Sequence, residues 1–479
     1  MAREFIYLVP EIIVLATALG VLVLDLVLGA KRKPLILALA SVAGLLAAAG
    51  FTANLMGQRA IVMADMFVID SFGLVLKVVI LVGAALSVLL AVGFLERPKS
   101  HPGEYDFLIV ASTLGMMVMT GSNNLLLAFL GIQLTSIPLY ILAGFKRNDS
   151  KSSEAALKYF LLGVLTAALM LYGMSLLYGL TGTLNLTTIA ARLGGIKTND
   201  PVLFLGMVFI IAGFSFKIAA VPFHFWAPDV YEGSPTCVTA FISAVPKIAG
   251  FAVLLRLVYT AFPALTPQWT GLMALMAVLT MVTGNIMAIP QKDIKRMLAF
   301  SGIAHVGYAL IALAVPGQNA MGALVFYLLA YSAMTAGAFT IVVAVGRVSH
   351  EHQITSFAGL GTRAPVLAAA MTVFLLSMLG FPLTAGFTGK FLVFSAAIEK
   401  HYVWLALIGV INSVISLYYY FGVVRQMYLT PARATTKMQV SGLVWLLIAI
   451  ALTVTFALGI YPEPVINLTR HLVVLFARF

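Results

Sequence analysis

The sequence is poor in cysteine and in charge. Of 479 residues, only Cys237 is a cysteine, and charged residues make up 10% of the chain. A single cysteine excludes a disulfide framework and a cysteine-ligated metal or iron–sulfur site formed within this chain. Soluble domains are about 25% charged, so this is not an ordinary soluble domain. No glycine-rich phosphate loop follows a strand, and nucleotide binding is therefore not supported.

Apolar residues make up most of the chain. Hydrophobic residues form 62% of the chain. Runs of roughly 20 apolar residues, enough to cross a ~30 Å hydrocarbon core, recur along its whole length. The runs are continuous rather than alternating, which argues against a transmembrane β-barrel. The pattern predicts an all-α polytopic membrane protein with about fourteen transmembrane helices, the first being a retained helix rather than a signal peptide. Numbered as helices 1 to 14, the predicted spans are 6–28, 36–56, 73–94, 106–121, 123–143, 155–178, 203–227, 237–257, 268–289, 298–316, 320–346, 366–398, 403–424 and 440–460.

The net charge of +12 does not indicate nucleic-acid binding, because the basic residues lie in short loops between helices. In such loops they indicate how the chain is oriented in the membrane. One set of alternate loops contains Lys31, Arg32, Lys33, Arg97, Lys99, Lys146, Arg147, Lys151, Lys292, Lys295, Arg296, Arg347, Arg363, Arg425, Arg433 and Lys437. The other set, with both termini, contains Arg3, Arg59, Arg192, Lys197, Lys400, Arg470 and Arg478. The positive-inside rule predicts that both termini face away from the cytoplasm.

Two predicted helices are interrupted. Pro222 breaks helix 7, and the Gly/Pro-rich stretch Gly380–Lys390 breaks helix 12. The two breaks lie five helices apart, which suggests two inverted five-helix repeats, helices 4–8 and 9–13, of the kind that places ion sites at broken helices. The segment 465–479 is predicted to be an interfacial helix. The resulting division is 1–105, an N-terminal three-helix segment; 106–260 and 261–425, the two inverted repeats; and 426–479, a C-terminal helix and peripheral tail.

Three lysines are predicted at membrane depth: Lys217 in helix 7, Lys247 in helix 8 and Lys390 in helix 12. A lysine at the bilayer centre costs about 2.5–3.5 kcal/mol on insertion scales. Burial disfavours its charged form, which suits a residue that takes up and releases a proton. The alternatives are structural: Lys217 could snorkel, Lys247 could hold a hydrogen bond, and Lys390 could reach toward the interface.

His305, in helix 10, can donate and accept a proton near neutral pH and could bridge lysines of the two halves. A purely structural histidine is the alternative. Lys77 and Lys158 lie near predicted helix ends. Snorkelling is the expected role of Lys77, whereas Lys158 stays an open candidate for proton transfer. Asp229 and Glu232, after helix 7, are expected to be solvated or to cap helix 8.

Several motifs resemble one known family. The longest, FKIAAVPFHFWAPDVYEGSPTCVTAFISAVPK, covers Phe216–Lys247, and others lie at Ser152–Phe160, Lys295–Ser301 with His305, and Gly380–Lys390. These stretches resemble the antiporter-like membrane subunits of proton-pumping NADH–quinone oxidoreductase, respiratory complex I, and are most similar to the subunit N branch. The matches run across most of the chain, and the helix count agrees.

The resemblance implies a pump subunit without a redox centre of its own. NADH, FMN, iron–sulfur clusters and quinone would belong to other subunits of the complex. Lys217 would be the central channel lysine, Lys247 the connecting lysine, Lys390 the exit-side residue, and His305 would lie on the polar axis between the half-channels. The expected neighbours are the antiporter-like subunit M and the small subunit K, within the lipid bilayer of a bacterial inner membrane rather than an organelle.

Gln133 departs from the family pattern. The family has a glutamate at this point of helix 5, paired with the lysine of helix 7, and a glutamine cannot supply that charge. Another acid could have taken over, the substitution could be engineered, or the subunit could assemble normally and translocate poorly. Two further functions therefore stay open: a subunit of a multi-subunit sodium/proton antiporter, and a mainly structural membrane-arm element.

Overall fold

The computed structural model describes residues 2–28, 33–95, 101–349, 351–432 and 438–476. Several of the loop cations that predict topology lie outside these ranges, namely Lys31, Arg32, Arg97, Lys99, Arg433, Lys437 and Arg478. The described chain is helical apart from one short hairpin and the connecting loops.

The helices follow the apolar runs of the sequence. Within the described ranges they are α1 (Ala2–Val27), α2 (Lys33–Asn54), α3 (Ser71–Leu95), α4 (Pro102–Gly121), α5 (Leu125–Ala143), α6 (Ser150–Thr181), α7 (Leu186–Leu193), α8 (Pro201–Ile218), α9 (Trp226–Gly233), α10 (Thr236–Arg256), α11 (Thr266–Ala288), α12 (Ile294–Ala314), α13 (Gln318–Ser349), α14 (Leu360–Arg363), α15 (Pro365–Leu379), α16 (Ala385–Glu399), α17 (Val403–Leu429), α18 (Gly442–Ile460) and α19 (Glu463–Phe476). A π-helical turn at Leu257–Ala261 extends α10, and 3₁₀ turns lie at Pro263–Leu265 and Ile354–Phe357. Strands β1 (Ala60–Val62) and β2 (Phe67–Ile69) pair antiparallel, with Ala60 opposite Ile69.

Twelve helices in the described part of the chain are long and apolar enough to cross a membrane. They confirm a helical, multi-pass membrane fold. Helix α4, of 20 residues, and the consecutive short helices α15 and α16, of 15 residues each, lie where the sequence predicts the other two crossings. Counting these as the remaining two of fourteen, and pairing the helices into inverted repeats, stays a prediction.

The chain forms two compact units. The first comprises Met1–Ile218, Val245–Trp269 and Leu472–Phe479, and the second comprises Ala219–Ala244 and Thr270–His471. In each unit, small residues let helices pack closely, as is common between membrane helices. A Cβ atom on Gly115 of α4 would lie 2.5 Å from the backbone nitrogen of Thr135 on α5, and one on Gly307 of α12 would lie 2.6 Å from that of Met281 on α11.

The predicted interfacial tail forms the amphipathic helix α19. Its residues Val465 and Ile466 pack against a buried apolar cluster of the second unit that includes Phe326 and Leu458. The helix begins two residues before the predicted segment. Its position at a membrane interface stays a prediction.

Candidate functional site

The break predicted in helix 7 separates α8 from α9. Helix α8 ends at Ile218, and α9 begins at Trp226. Between them, Ala219 adopts a positive φ of 61°. Pro222 has no N–H group and disfavours a helical conformation in the residue before it, so one helix cannot run through this stretch. The predicted interruption is confirmed, although the helix ends four residues before the proline.

Lys217 lies at the end of α8, not near the centre of a helix as the sequence suggested. The difference arises because the predicted span included the turns that follow Ile218. The side chain of Lys217 is only 2% exposed. Its Nζ atom donates a hydrogen bond to Ser136 Oγ on α5 at 3.0 Å. The amine of the predicted channel lysine therefore contacts a neutral hydroxyl.

Gln133 lies one turn before Ser136 on α5, on the same side of the helix. It is half-buried. The structure thus brings the hydroxyl of Ser136 to the amine of Lys217. Ser136 was not among the residues expected from the sequence.

Lys247 is buried within α10, directly after Pro246. One turn further on, Gly250 allows close packing on the end of α8, because a Cβ atom there would lie 2.6 Å from Ile218 Cγ2. This contact also brings the added atom within 3.6 Å of Lys217 Cγ. Lys217 and Lys247 therefore lie on neighbouring, closely packed helices.

Lys158 lies near the surface of the first unit. Its Nζ atom forms an ion pair with Glu154 Oε1 at 2.7 Å, one turn earlier on α6, and the two side chains are 43% and 62% exposed. Glu154, one turn before Lys158, is thus paired with that lysine. Exposed pairs at this spacing are common on helix surfaces.

The expected role of Lys77 was wrong. Its side chain does not snorkel but is 2% exposed and forms an ion pair with Glu11 Oε1 at 2.7 Å. The amine also lies 4.4 Å from the centre of the Phe67 ring. Sequence position near a helix end could not show that α1 would place a carboxylate opposite this lysine.

A second buried ion pair in the first unit was not expected from the sequence. Arg256, the last residue of α10, lies 2.8 Å from Asp70 Oδ2, and both side chains are almost completely buried. Asp70 also accepts a hydrogen bond from the backbone nitrogen of Gly73 at 2.7 Å, which caps the start of α3.

The break in predicted helix 12 separates α15 from α16. Gly380, the residue after the end of α15, has a φ of 96°, a conformation that glycine adopts without strain. Lys390, on α16, donates to the carbonyl oxygen of Leu379 at 2.9 Å and to Ser413 Oγ at 3.1 Å. Its amine also lies 4.4 Å from the centre of the Tyr308 ring. A cation at the C-terminal carbonyl of α15 suits the negative end of that helix.

His305 lies inside the second unit, 2% exposed on α12. Its Nδ1 atom is 2.6 Å from Tyr327 Oη, and its Nε2 atom is 3.2 Å from Tyr420 Oη. Both ring nitrogens therefore have hydroxyl partners, each of which can donate or accept. These tyrosines were not singled out from the sequence, because tyrosine counts as apolar in a hydropathy pattern.

Asp229 and Glu232 pair with Arg296 instead of remaining free in solvent, which corrects the expectation of solvated side chains. Arg296 Nη1 donates to Asp229 Oδ1 at 2.5 Å and to Glu232 Oε2 at 3.2 Å. The three side chains are between 25% and 31% exposed. Arg296, counted only as a topology marker, thus ties α9 to the start of α12.

The predicted residues fall into two groups. Lys217, Lys247 and Gln133 lie in the first unit, and His305 and Lys390 lie in the second. Lys217 contacts a hydroxyl, Lys390 a hydroxyl and a carbonyl, and His305 two hydroxyls. Among the described residues, no group of three or more His, Cys, Asp and Glu side chains could hold a metal ion. The arrangement can hold and exchange protons.

Comparison with known proteins assigns the family. A family model described as NADH:quinone oxidoreductase/Mrp antiporter, TM, matches residues 122–416, which is more than half of the chain. NADH-quinone oxidoreductase subunit N of Trichlorobacter lovleyi is 44% identical over 428 residues, 88% of this chain and 87% of that protein. Subunit N of Moorella thermoacetica is 41% identical and covers 98% of both chains.

Solved structures agree with the sequence comparison. A chain of respiratory complex I from Thermus thermophilus with bound aureothin is 32% identical and superposes with a TM-score of 0.82, over 96% of this chain and 98% of that one. Together with the twelve candidate spans, this confirms an antiporter-like multi-pass membrane protein. The chain therefore belongs to the subunit N family of NADH–quinone oxidoreductase, the respiratory complex I family of antiporter-like membrane subunits.

Proposed function

We propose that this chain is a proton-translocating membrane-arm subunit of NADH–quinone oxidoreductase. Protons would move through Lys217, Lys247, His305 and Lys390, driven by quinone reduction in other subunits. Gln133 would lie beside the first step of this route without itself carrying a charge.

The observation that carries the proposal is the environment of the amines of Lys217 and Lys390. Each is buried and hydrogen-bonded to uncharged oxygen atoms. A buried lysine with a carboxylate partner is held in its charged form, whereas one with neutral partners can lose its proton without leaving a carboxylate unpaired. Such a residue can serve as a proton carrier inside a membrane.

The surroundings of the chain are part of the proposal. The redox chemistry of the complex, with its NADH, FMN, iron–sulfur clusters and quinone, would take place in partner subunits. The antiporter-like subunit M and the small subunit K would be the neighbours in the membrane arm. The chain would lie in a bacterial inner membrane with both termini on the outer side, as the distribution of basic loops favours.

One observation favours a second candidate function, a structural subunit with impaired pumping. Gln133 cannot supply the charge that the family's glutamate supplies, and the group that contacts Lys217 is a serine hydroxyl. A sodium/proton antiporter subunit is less well supported, because the relatives over nearly the full length are named as NADH-quinone oxidoreductase subunits.

The test is the number of protons moved per electron by the reconstituted complex. Lys217→Met keeps the length of the side chain and removes its charge. We expect it to lower the proton yield at a matched rate of quinone reduction. Lys197→Met, at an exposed loop position, is the matched control and should change nothing. A proton yield equal in both variants, with quinone reduction intact, would rule out the proposed route.

Gln133→Glu separates the pumping and structural alternatives. A higher proton yield with glutamate would mean that the natural glutamine limits translocation. An unchanged yield, together with a loss on Lys217→Met, would mean that Lys217 works with neutral partners alone. Unchanged yields for both variants would favour a structural subunit.

A further inference from the structure

A row of neighbouring polar side chains lies between His305 and Lys390 inside the second unit. From His305, the first partner is Tyr420, whose hydroxyl lies 3.2 Å from Nε2. The rings of Tyr420 and its neighbour Tyr419 are in contact, with centroids 4.4 Å apart. From Lys390, the amine donates to Ser413 Oγ at 3.1 Å and lies 4.4 Å from the centre of the Tyr308 ring. None of these four hydroxyl-bearing residues was expected from the sequence.

The two halves of the row meet at Asn285, a fully buried residue of α11. Tyr419 Oη donates to Asn285 Oδ1 at 2.9 Å. Asn285 Nδ2 in turn donates to Tyr308 Oη at 3.2 Å. The asparagine therefore occupies the middle of the row, between the hydroxyl groups of Tyr419 and Tyr308.

The orientation of this amide is fixed by its surroundings. Asn285 Nδ2 lies 3.0 Å from the carbonyl oxygen of Met281, which can only accept a hydrogen bond. The same nitrogen faces Asn412 Oδ1 at 3.2 Å, and Asn412 is itself oriented by its Nδ2 bond to the carbonyl of Ile408 at 3.0 Å. The oxygen of Asn285 must then point toward Tyr419.

Hydroxyl and amide groups differ in their ability to relay a proton. A hydroxyl oxygen both accepts and donates, so it can take a proton from one side and release its own to the other. For each proton passed on, the bond to the donor breaks as a new O–H bond forms, and the original O–H bond breaks as a bond to the acceptor forms. The hydroxyl is therefore left unchanged. In an amide the acceptor is the oxygen and the donor is the nitrogen. A proton received at Oδ1 cannot leave from Nδ2 unless the amide changes to its imidic form.

We propose that Asn285 is an insulating link between His305 and Lys390, which keeps the row ordered while blocking direct proton transfer along it. Protons would cross only when the amide moves aside or water bypasses it. This inference rests on the proposed function, since it assumes that His305 and Lys390 exchange protons. It adds a residue that would prevent protons from running back when the complex is at rest.

The experiment replaces the amide with groups that relay protons. Asn285→Asp has nearly the same shape, and its carboxyl group can accept a proton on one oxygen and release one from the other. In proteoliposomes that contain the assembled complex, we expect a severalfold higher passive proton conductance and a lower proton yield per electron. Asn412→Asp, which buries a carboxyl group beside the row instead of within it, is the matched control and should not leak.

A second variant tests the route of the leak. Adding Tyr419→Phe to Asn285→Asp removes the hydroxyl that feeds the new carboxyl group, and should abolish most of the added conductance. If Asn285→Asp fails to assemble, Asn285→Ser offers a hydroxyl in the same place. Assembled Asp and Ser variants without a leak would overturn the proposal, as would an equal leak in Asn412→Asp.

Lys390→Met, measured in parallel, separates this inference from the proposed function. A lower proton yield in Lys390→Met without a leak in the Asn285 variants would reject only the insulating role of Asn285. An unchanged yield in Lys390→Met would reject the proton route itself.

Discussion

The buried lysines of the N-terminal helices and those of the antiporter-like core differ in their partners. The core is defined here as residues 122–416, which the family model matches. Outside it, Lys77 has the carboxylate of Glu11 at 2.7 Å. Inside it, Lys217 contacts a hydroxyl, and Lys390 contacts a hydroxyl and a carbonyl. Of these three buried lysines, the one in the N-terminal region is paired with an acid. Lys217 and Lys390, for which we propose proton transfer, contact neutral groups.

The difference follows from elementary electrostatics. A carboxylate close to an ammonium group strongly favours the charged lysine, and the pair becomes a fixed element of the structure. Hydroxyl and carbonyl groups satisfy an ammonium group by hydrogen bonding without adding a charge. Burial then works against the charged form and makes release of the proton easier.

Breaking the pair in the N-terminal region should have the largest effect on stability. Glu11→Leu leaves Lys77 buried without its acid, and removal of one partner of a buried pair costs about 3–5 kcal/mol. We expect a lower yield of assembled complex and a lower unfolding temperature. The complex that does assemble should keep its proton yield.

The double variant Glu11→Leu/Lys77→Met is the control for this prediction. Replacing both partners of a buried pair with apolar groups is often neutral, so most of the lost stability should return. A double variant as unstable as Glu11→Leu alone would show that Glu11 acts through something other than its pair with Lys77.

Giving Lys217, a lysine of the core, a carboxylate partner should have the next largest effect. Ser136→Asp places a carboxylate at the position that Lys217 already contacts. The attraction at this range is about 4 kcal/mol for an effective dielectric constant of 20, enough to hold the lysine charged. We expect the proton yield to fall nearly as far as in Lys217→Met.

Ser136→Asn is the matched control, because it has the size of aspartate and no charge. It should reduce the proton yield much less than Ser136→Asp. Equal losses in the two variants would mean that space around the Lys217 amine, and not charge, determines the effect.

The sequence predicted the membrane class, both helix breaks and the burial of Lys217, Lys247, Lys390 and His305. These follow from hydropathy, from proline and glycine chemistry, and from the cost of charge in a membrane. Each is a property of a single segment, which is why one sequence was enough to recognise them.

The partners of those residues could not be predicted in the same way. Ser136 lies 81 positions from Lys217 in the chain, and Glu11 lies 66 positions from Lys77. Helix packing decides such contacts, and no local pattern records it. The role given to Lys77 was wrong for this reason. Asn285 could have been recognised in the sequence as a candidate, because it is an uncharged amide within an apolar helix.

Removing the surface pair of Lys158 should have the smallest effect. The pair with Glu154 is exposed on α6, and exposed pairs at this spacing contribute about 0.3–0.5 kcal/mol. We expect Lys158→Met to leave both stability and proton yield nearly unchanged, as measured beside Lys217→Met in the same proteoliposomes. Glu154→Gln removes the same pair from the other side and should behave alike. A loss confined to Lys158→Met would place this lysine on the proton route despite its acid partner, and the distinction between paired and neutral surroundings would no longer identify the proton carriers.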